Sequence, residues 1–167
     1  MRTHEESIRR LIFEYADYLD SADYESLGEL FRDATLHVSG VSSPVSGKED
    51  IRDFFDGMNH LDESGSPGTR FLTSNTIVDV SDDERTAKAR SYFVCLQGSR
   101  GTLAPIAAGR YHDTFASDGT AWRFIERRIT LDLFGNMDHH VRFNPGTSSV
   151  DPAAVIAGAR KAKEAAK

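Results

Sequence analysis

A single cysteine, Cys95, in 167 residues leaves no possibility of an internal disulfide. Stability must then come from a packed core, and the lone thiol fits a reducing compartment. No apolar run approaches the roughly 18 residues that a membrane-spanning helix needs. Basic clusters are scarce as well. The net charge is -6, and the densest group, Arg123, Arg127 and Arg128, is too small for a nucleic-acid footprint. There is no glycine-rich phosphate loop and no internal repeat. The opening residues, MRTHEESIRR, carry charge where a secretory signal needs an apolar stretch. Together these absences lead us to expect a cytoplasmic protein with neither nucleic acid nor membrane as partner.

What is present describes a globular domain. Hydrophobic residues make up 39% and charged residues 28% of the chain. The length suits one core with a tail, and we place the domain at residues 1–143 and the tail at 144–167. Thr3 and Glu6 form a T-x-x-E capping box. Ile8, Leu11, Ile12, Tyr15 and Leu19 then recur at helical spacing, which predicts an amphipathic helix over about 4–19. Asp23 fits the N-cap of a second, shorter helix carrying Leu27, Leu30 and Phe31. Ser46 and Glu49 repeat the capping pattern ahead of a third helix with Ile51, Phe54, Phe55 and Met58.

After the third helix the character changes. FLTSNTIVDV, AKARSYFVCLQ, PIAAGRYHDTF and AWRFIERRITLDLF are β-branched and aromatic segments separated by the turn signals SDDER, GSRGTL and ASDGT. ATLHV, residues 34–38, is an earlier short strand. Helices gathered before a run of four strands indicate an α+β fold with a bent antiparallel sheet. In the tail, Asp151 and Pro152 are an N-cap and first-turn pair ahead of an alanine-rich helix. That helix could be a docked arm, a dimer contact or a frayed end.

Strand alternation places the polar residues. Along AAGRYHDTF, Ala107, Gly109, Tyr111, Asp113 and Phe115 share the more apolar face, so Tyr111 and Asp113 are expected inside and Arg110 and His112 outside. In the last strand the parity of Trp122 and Phe124 conflicts with that of Ile125, Ile129 and Leu131. A bulge near Phe124–Glu126 reconciles them and turns Arg127 inward, near Asp113. An Arg–Asp pair that closes the sheet is the bland alternative to a functional cation. Adjacent His139 and His140 cannot both point at one metal from a regular strand, so an exposed loop is expected there and no metal site. Cys95, among Phe93, Val94 and Leu96, reads as a buried thiol.

Four stretches now carry a resemblance: YADYLDSADYESLGELF (15–31), SGKEDIRDFF (46–55), RFLTSNTIVDV (70–80) and AAGRYHDTFASDGTAWRFIERRITLDLFGNMDHH (107–140). Over about residues 5–143 the chain resembles the SnoaL-like members of the nuclear transport factor 2-like superfamily. The resemblance implies a cystatin-like, cone-shaped α+β barrel, with a curved antiparallel sheet wrapped around the N-terminal helices and a ligand cavity at its wide end. Relatives include scytalone dehydratase, hexachlorocyclohexane dehydrochlorinase, ketosteroid isomerase and the β subunits of ring-hydroxylating dioxygenases.

In the dehydratase and the dehydrochlorinase an Asp ending the first helix pairs with a strand His to remove a proton. Asp20 matches that Asp. The position of the His falls on Phe71, counted back from Asn75, or on Arg70 in an ungapped alignment, and neither side chain can accept a proton. Arg127 matches a cavity arginine of the dehydrochlorinase. The resemblance therefore implies binding of a small hydrophobic molecule without a cofactor, and lyase or isomerase chemistry on an incomplete dyad. In that scheme Asp20 is the base, while Arg127 and Tyr111 stabilise charge. Tyr15, Leu19, Arg70, Phe71, Asn75, Asp113 and Trp122 would contact the ligand. The alternative is a non-catalytic ligand-binding or partner subunit resembling the dioxygenase β subunit. Either way a homodimer or higher homo-oligomer is expected.

Overall fold

The computed structural model describes residues 2–99, 102–143 and 149–167. Helix α1 (His4–Asp20) starts where the capping box places it. The Thr3 hydroxyl accepts the Glu6 N–H at 3.2 Å, and the Glu6 carboxylate accepts the Thr3 N–H at 2.7 Å. Its buried stripe of Ile8, Ile12, Tyr15, Ala16 and Leu19 follows the helical period. Ala22, at φ 55, turns the chain so that Asp23 can cap α2 (Tyr24–Leu30), accepting the Ser26 N–H at 3.0 Å.

Next come β1 (Thr35–Val38), β2 (Val45–Ser46) and α3 (Lys48–Met58). Here the capping expectation fails. Ser46 belongs to β2, where its hydroxyl bonds with that of Thr35 at 3.0 Å. Gly47, at φ 89, precedes α3 without any side-chain cap. A serine can serve a strand pair or a helix start, and pairing with β1 takes it.

The four expected strands are β3 (Thr69–Val80), β4 (Thr86–Ser99), β5 (Thr102–Ser117) and β6 (Trp122–Phe134). The turn expected at GSRGTL includes residues 100 and 101, and the linker expected from 144 includes 144–148, all outside the described residues. The sheet order is β2-β1-β6-β5-β4-β3. Neighbours are antiparallel except β1 and β6, which run parallel. The sheet is therefore mixed and open rather than an antiparallel barrel. The long excursion from β1 to β6 through α3 and the meander leaves room for a parallel pairing that adjacent strands cannot make.

Bulges supply the curvature. Register slips between Thr114 and Phe115 opposite Glu126 and Phe124, so Ile125 is the extra residue that reconciles the two parities of β6. A second slip, at Ala108 to Gly109, brings the chain so close to β6 that a Cβ at 109 would run into the Thr130 carbonyl oxygen. Glycine is required there. The sheet curls over α1, and α2 and α3 pack beside it around one aromatic-rich core that includes Phe31, Phe54, Phe93, Tyr111, Phe115 and Phe124.

Helix α4 (Pro152–Ala165) begins at Asp151, whose carboxylate accepts the Ala153 N–H at 3.0 Å. It docks on α3. The wholly buried Asp53 accepts hydrogen bonds from Arg52, Arg160 and Lys163 at 2.9, 2.7 and 2.9 Å. Burial alone would push the Asp53 carboxyl up, but these three donors together hold it well below the usual carboxylate range. At Gly57 a Cβ would sit 2.8 Å from the Val155 carbonyl oxygen, so glycine permits the close approach.

Candidate functional site

A cavity opens between the C-terminal half of α1, the end of α3, the inner face of the sheet and the segment 137–143. The volume open to the centre of a water molecule is about 60 Å³. That exceeds the roughly 10–15 Å³ one water requires and falls well short of a drug-sized site of about 300 Å³ or more. The wall is almost entirely apolar, with Leu19, Phe55, Phe71, Phe93 and Ile129 among its members. Tyr15, Leu19, Phe71 and Tyr111 line it.

Trp122 does not. Its indole N–H donates to His4 Nδ1 at 3.1 Å, at the opposite end of α1 from Leu19. Some fifteen helical residues separate the two ends, about 20 Å at 1.5 Å per residue. Asn75 sits exposed at the bulge between Ser74 and Ile77, at φ 52. Arg70 also points outward, and its guanidinium donates to the Thr69 carbonyl at 2.6 Å. Both follow strand alternation, because a bulge or a single step in register turns a side chain to the other face.

Arg127 and Asp113 face each other across β6 and β5, both fully enclosed. Arg127 Nε and Nη2 donate to the two carboxylate oxygens at 2.8 and 2.7 Å. The guanidinium carbon lies 4.2 Å from the ring centres of both Tyr15 and Tyr111 and 4.9 Å from that of Phe124. Burial works against the charged guanidinium, and the attraction and hydrogen bonds of Asp113 more than offset it, raising its pKa. Arg127 does not itself line the cavity; the two tyrosine rings stand between. Burial also pushes the hydroxyls of Tyr15 and Tyr111 far up, so both stay protonated.

Asp20, half-buried at the end of α1, is held by β3. It accepts the Phe71 N–H at 3.0 and 3.1 Å and the Thr69 hydroxyl at 3.1 Å. Burial raises its pKa, partly opposed by those bonds and by the nearby charge of Arg70. Its carboxylate thus anchors the start of β3 and stays outside the cavity lining. Cys95 does line it, and burial pushes the thiol far up, which makes it a poor nucleophile.

His140 was not foreseen as a site residue. Its neighbour His139 is exposed, as expected of a loop, but His140 is only 6% exposed and lines the cavity with its ring 5.9 Å from that of Phe71. Residues 137–141 form a single turn, with the N–H groups of His140 and Val141 both donating to the Met137 carbonyl at 2.9 and 3.1 Å. Met137, His140 and Val141 therefore share one face, an i, i+3, i+4 signal that was readable in MDHHV. Backbone bonds hold the turn against α3. His60 N–H donates to the His140 carbonyl at 2.8 Å, and Arg142 N–H to that of Met58 at 2.9 Å. Burial, with the nearby charge of His60, lowers the His140 pKa to about 4, so the imidazole is neutral at pH 7.

Asn59, at the C-cap of α3, was missed as well. It is 2% exposed, lines the cavity and donates through Nδ2 to the Tyr24 hydroxyl at 3.0 Å. No group of three or more histidine, cysteine or acidic side chains suited to a metal occurs among the described residues. No helix is long and apolar enough to cross a membrane among them either.

Comparison with known proteins agrees with this architecture. An NTF2-like protein with a cystatin-like fold from Novosphingobium aromaticivorans is 26% identical, with 81% of this chain and 86% of that one covered and a TM-score of 0.65. A candidate scytalone dehydratase from the same organism is 22% identical over 78% and 85% of the two chains, with a TM-score of 0.62. The β subunit of a candidate aromatic-ring-hydroxylating dioxygenase, again from that organism, is 17% identical over 78% and 90%, with a TM-score of 0.60. These last two likenesses are of fold. Among curated proteins none matches the sequence. Residues 2–128 match the SnoaL-like domain, and the chain belongs to that family.

Proposed function

We propose that this protein binds a small apolar molecule in the cavity beneath segment 137–143, and that it does so as a binding module rather than as a proton-transfer enzyme. The carrying observation is the apolar wall built from α1, α3, the sheet and one short turn. Burying an apolar ligand there is favourable at roughly 25 cal/mol per Å² removed from water.

The non-catalytic reading is favoured by what Asp20 and Arg127 are doing. Asp20 accepts hydrogen bonds from Phe71 and Thr69, and Arg127 gives its fork to Asp113. Lyase or isomerase chemistry would require Asp20 as base, with Arg127 and Tyr111 stabilising charge. It draws support from the raised Asp20 pKa and from the family. A homodimer fits the exposed Leu72, Ile77 and Tyr92 on the outer face of the sheet.

Met58 and Met137 both line the cavity and are two of only three methionines, so their methyl groups report its occupancy. Titration with methylcyclopentane, followed by methionine-methyl NMR, is expected to shift both signals in the wild type and equally in Asp20→Asn. No movement of either signal would remove the binding reading. Asp20-dependent conversion of a cyclic alcohol to its alkene would establish the lyase reading instead.

A further inference from the structure

Apart from the cavity, we infer a second binding site on the outer face of the sheet, which takes a small carboxylate carrying a flat apolar body. It lies over the bulge of β3, where Asn75 and Thr76 stand opposite the single residue Ser91. There the outer face carries a depression lined by Asn75, Ile77, Arg90, Tyr92, Arg110 and His112. About 340 Å³ of it is open to the centre of a water molecule, which is within the size of small-molecule sites. None of these six residues lines the inner cavity, so the two sites stand or fall separately.

Strand register concentrates basic side chains here. His37 on β1 opposes Arg128 on β6, Arg128 opposes His112 on β5, and His112 opposes Arg90 on β4. Neighbouring strands lie about 4.8 Å apart, and like charges facing each other at that spacing are destabilising unless a counter-charge relieves them. Carboxylates of the chain answer part of the row. Glu126 accepts the Arg128 fork at 2.8 and 2.9 Å and lies 3.3 Å from His37 Nε2. Arg110, one row along, gives its fork to Asp132 at 2.8 and 2.9 Å. Arg90 receives nothing comparable. Among the described residues it enters no ion pair, and Asp79, the nearest acidic position along β3, stands opposite Lys88. The chain has 26 acidic residues against 20 lysines and arginines, yet leaves this guanidinium in a depression without a carboxylate.

The chemistry of the lining names the ligand. A planar guanidinium fork matches a carboxylate through two parallel hydrogen bonds. Asp132 already balances Arg110, so the depression offers one free positive charge, and a monoanion suits it. A phosphate dianion would bring a surplus charge beside Asp132. Asn75, held outward at φ 52, adds an amide donor at the rim. Tyr92 and Ile77, 51% and 44% exposed, supply an apolar side against which a flat ring can lie. A second copy of the chain is the rival occupant, because Ile77 and Tyr92 also belong to the patch offered to a homodimer. In a two-fold interface a patch meets itself, and that would bring Arg90 and Arg110 toward arginines of the other copy. A carboxylate ligand meets no such repulsion.

Benzoate, benzamide and phenyl phosphate, titrated at constant ionic strength and followed by backbone amide NMR, test this. Benzoate is expected to shift the Arg90, Tyr92 and His112 amide signals, to bind about fivefold more tightly than benzamide, and to bind more tightly than phenyl phosphate. Arg90→Gln should erase the preference for benzoate over benzamide, whereas Arg85→Gln, at an exposed arginine in the turn before β4, should keep it. No shift at the three amides, a preference that survives Arg90→Gln, shifts spread over exposed arginines at large, or tighter binding of phenyl phosphate would each overturn the inference. Movement of the Met58 and Met137 methyl signals by benzoate, with the outer face silent, would place the anion in the cavity and overturn it too. So would sedimentation showing that Arg90→Gln alters self-association while the wild type ignores benzoate, the result expected if a second copy covers the face. Failure here leaves the cavity reading standing, and failure of the methylcyclopentane titration leaves this site standing.

Discussion

The His140 ring lies 5.9 Å from the Phe71 ring, so an imidazole packs against the residue that stands where the strand histidine of the related dehydratase was sought. It arrives from a different element, the turn after β6. Its geometry also differs, because Asp20 bonds to the Phe71 backbone and to Thr69 rather than to an imidazole. The cavity keeps one neutral imidazole and no ionised group in its lining.

Acid should weaken the fold through His140. Its folded pKa, about 4, lies below its unfolded value near 6.5, so the unfolded chain takes up the proton first as the pH falls. The stabilisation from keeping this ring neutral is complete above pH 6.5 and is lost progressively down to about pH 4. The loss is on the order of 3 kcal/mol. Urea unfolding at pH 7, 5.5 and 4 should show it in the wild type. His140→Phe should be flatter across that range, and equal slopes in the two proteins would refute the assignment.

Breaking one half of the Arg127–Asp113 pair should be worse than removing both. Arg127→Met leaves a buried, uncompensated carboxylate and is expected to destabilise by about 3–5 kcal/mol. Replacing both residues, Arg127→Met with Asp113→Leu, should recover most of that loss, since apolar side chains would fill the space between Tyr15, Tyr111 and Phe124. A double-mutant cycle in urea measures the coupling. Additive losses would mean that the pair is not acting as a unit.

The docking of α4 should depend on residues that α3 presents to it. Gly57→Ala places a methyl group 2.8 Å from the Val155 carbonyl oxygen, and a shift of α4 costing about 1–3 kcal/mol is expected. Asp53→Asn should weaken the same contact by removing the charge shared by Arg52, Arg160 and Lys163. Amide hydrogen exchange in α4 should accelerate in both variants while β4 and β5 are unaffected. Because Asp53 titrates well below its unfolded value, its contribution is present above the ordinary carboxyl range and fades as the pH falls beneath it. Unchanged α4 protection in Gly57→Ala would contradict the close approach.

The Cys95 thiol should be silent in the folded protein. It is fully buried, and burial raises its pKa far above the usual thiol range, so a disulfide reagent at pH 8 is expected to react only at the rate of opening. Modification should therefore accelerate with urea in step with unfolding. Rapid labelling in native buffer would show that the cavity admits the reagent.

Much of the framework was legible in the residues. The capping box at Thr3 and Glu6, the Asp23 cap, the four long strands and the bulge at Ile125 all follow from local chemistry and parity. So do the inward Tyr111 and Asp113 and the outward Arg110 and His112. The two-residue β2 was not legible, since a pair of residues carries no period, and with it went the role of Ser46. The resemblance counted Trp122 among the ligand contacts, yet its hydrogen bond to His4 holds it at the other end of α1.

The sequence by itself determined the elements and which side of each faces inward, because capping, helical period and strand alternation act over a few residues. Only the tertiary structure decided which inward residues meet. Asn59 and His140 lie some eighty positions apart and come together through a backbone bridge between a helix end and a turn. A bridge of that kind is set by hydrogen bonds of the main chain, which every residue type can make, so no pattern of side chains announces it in advance.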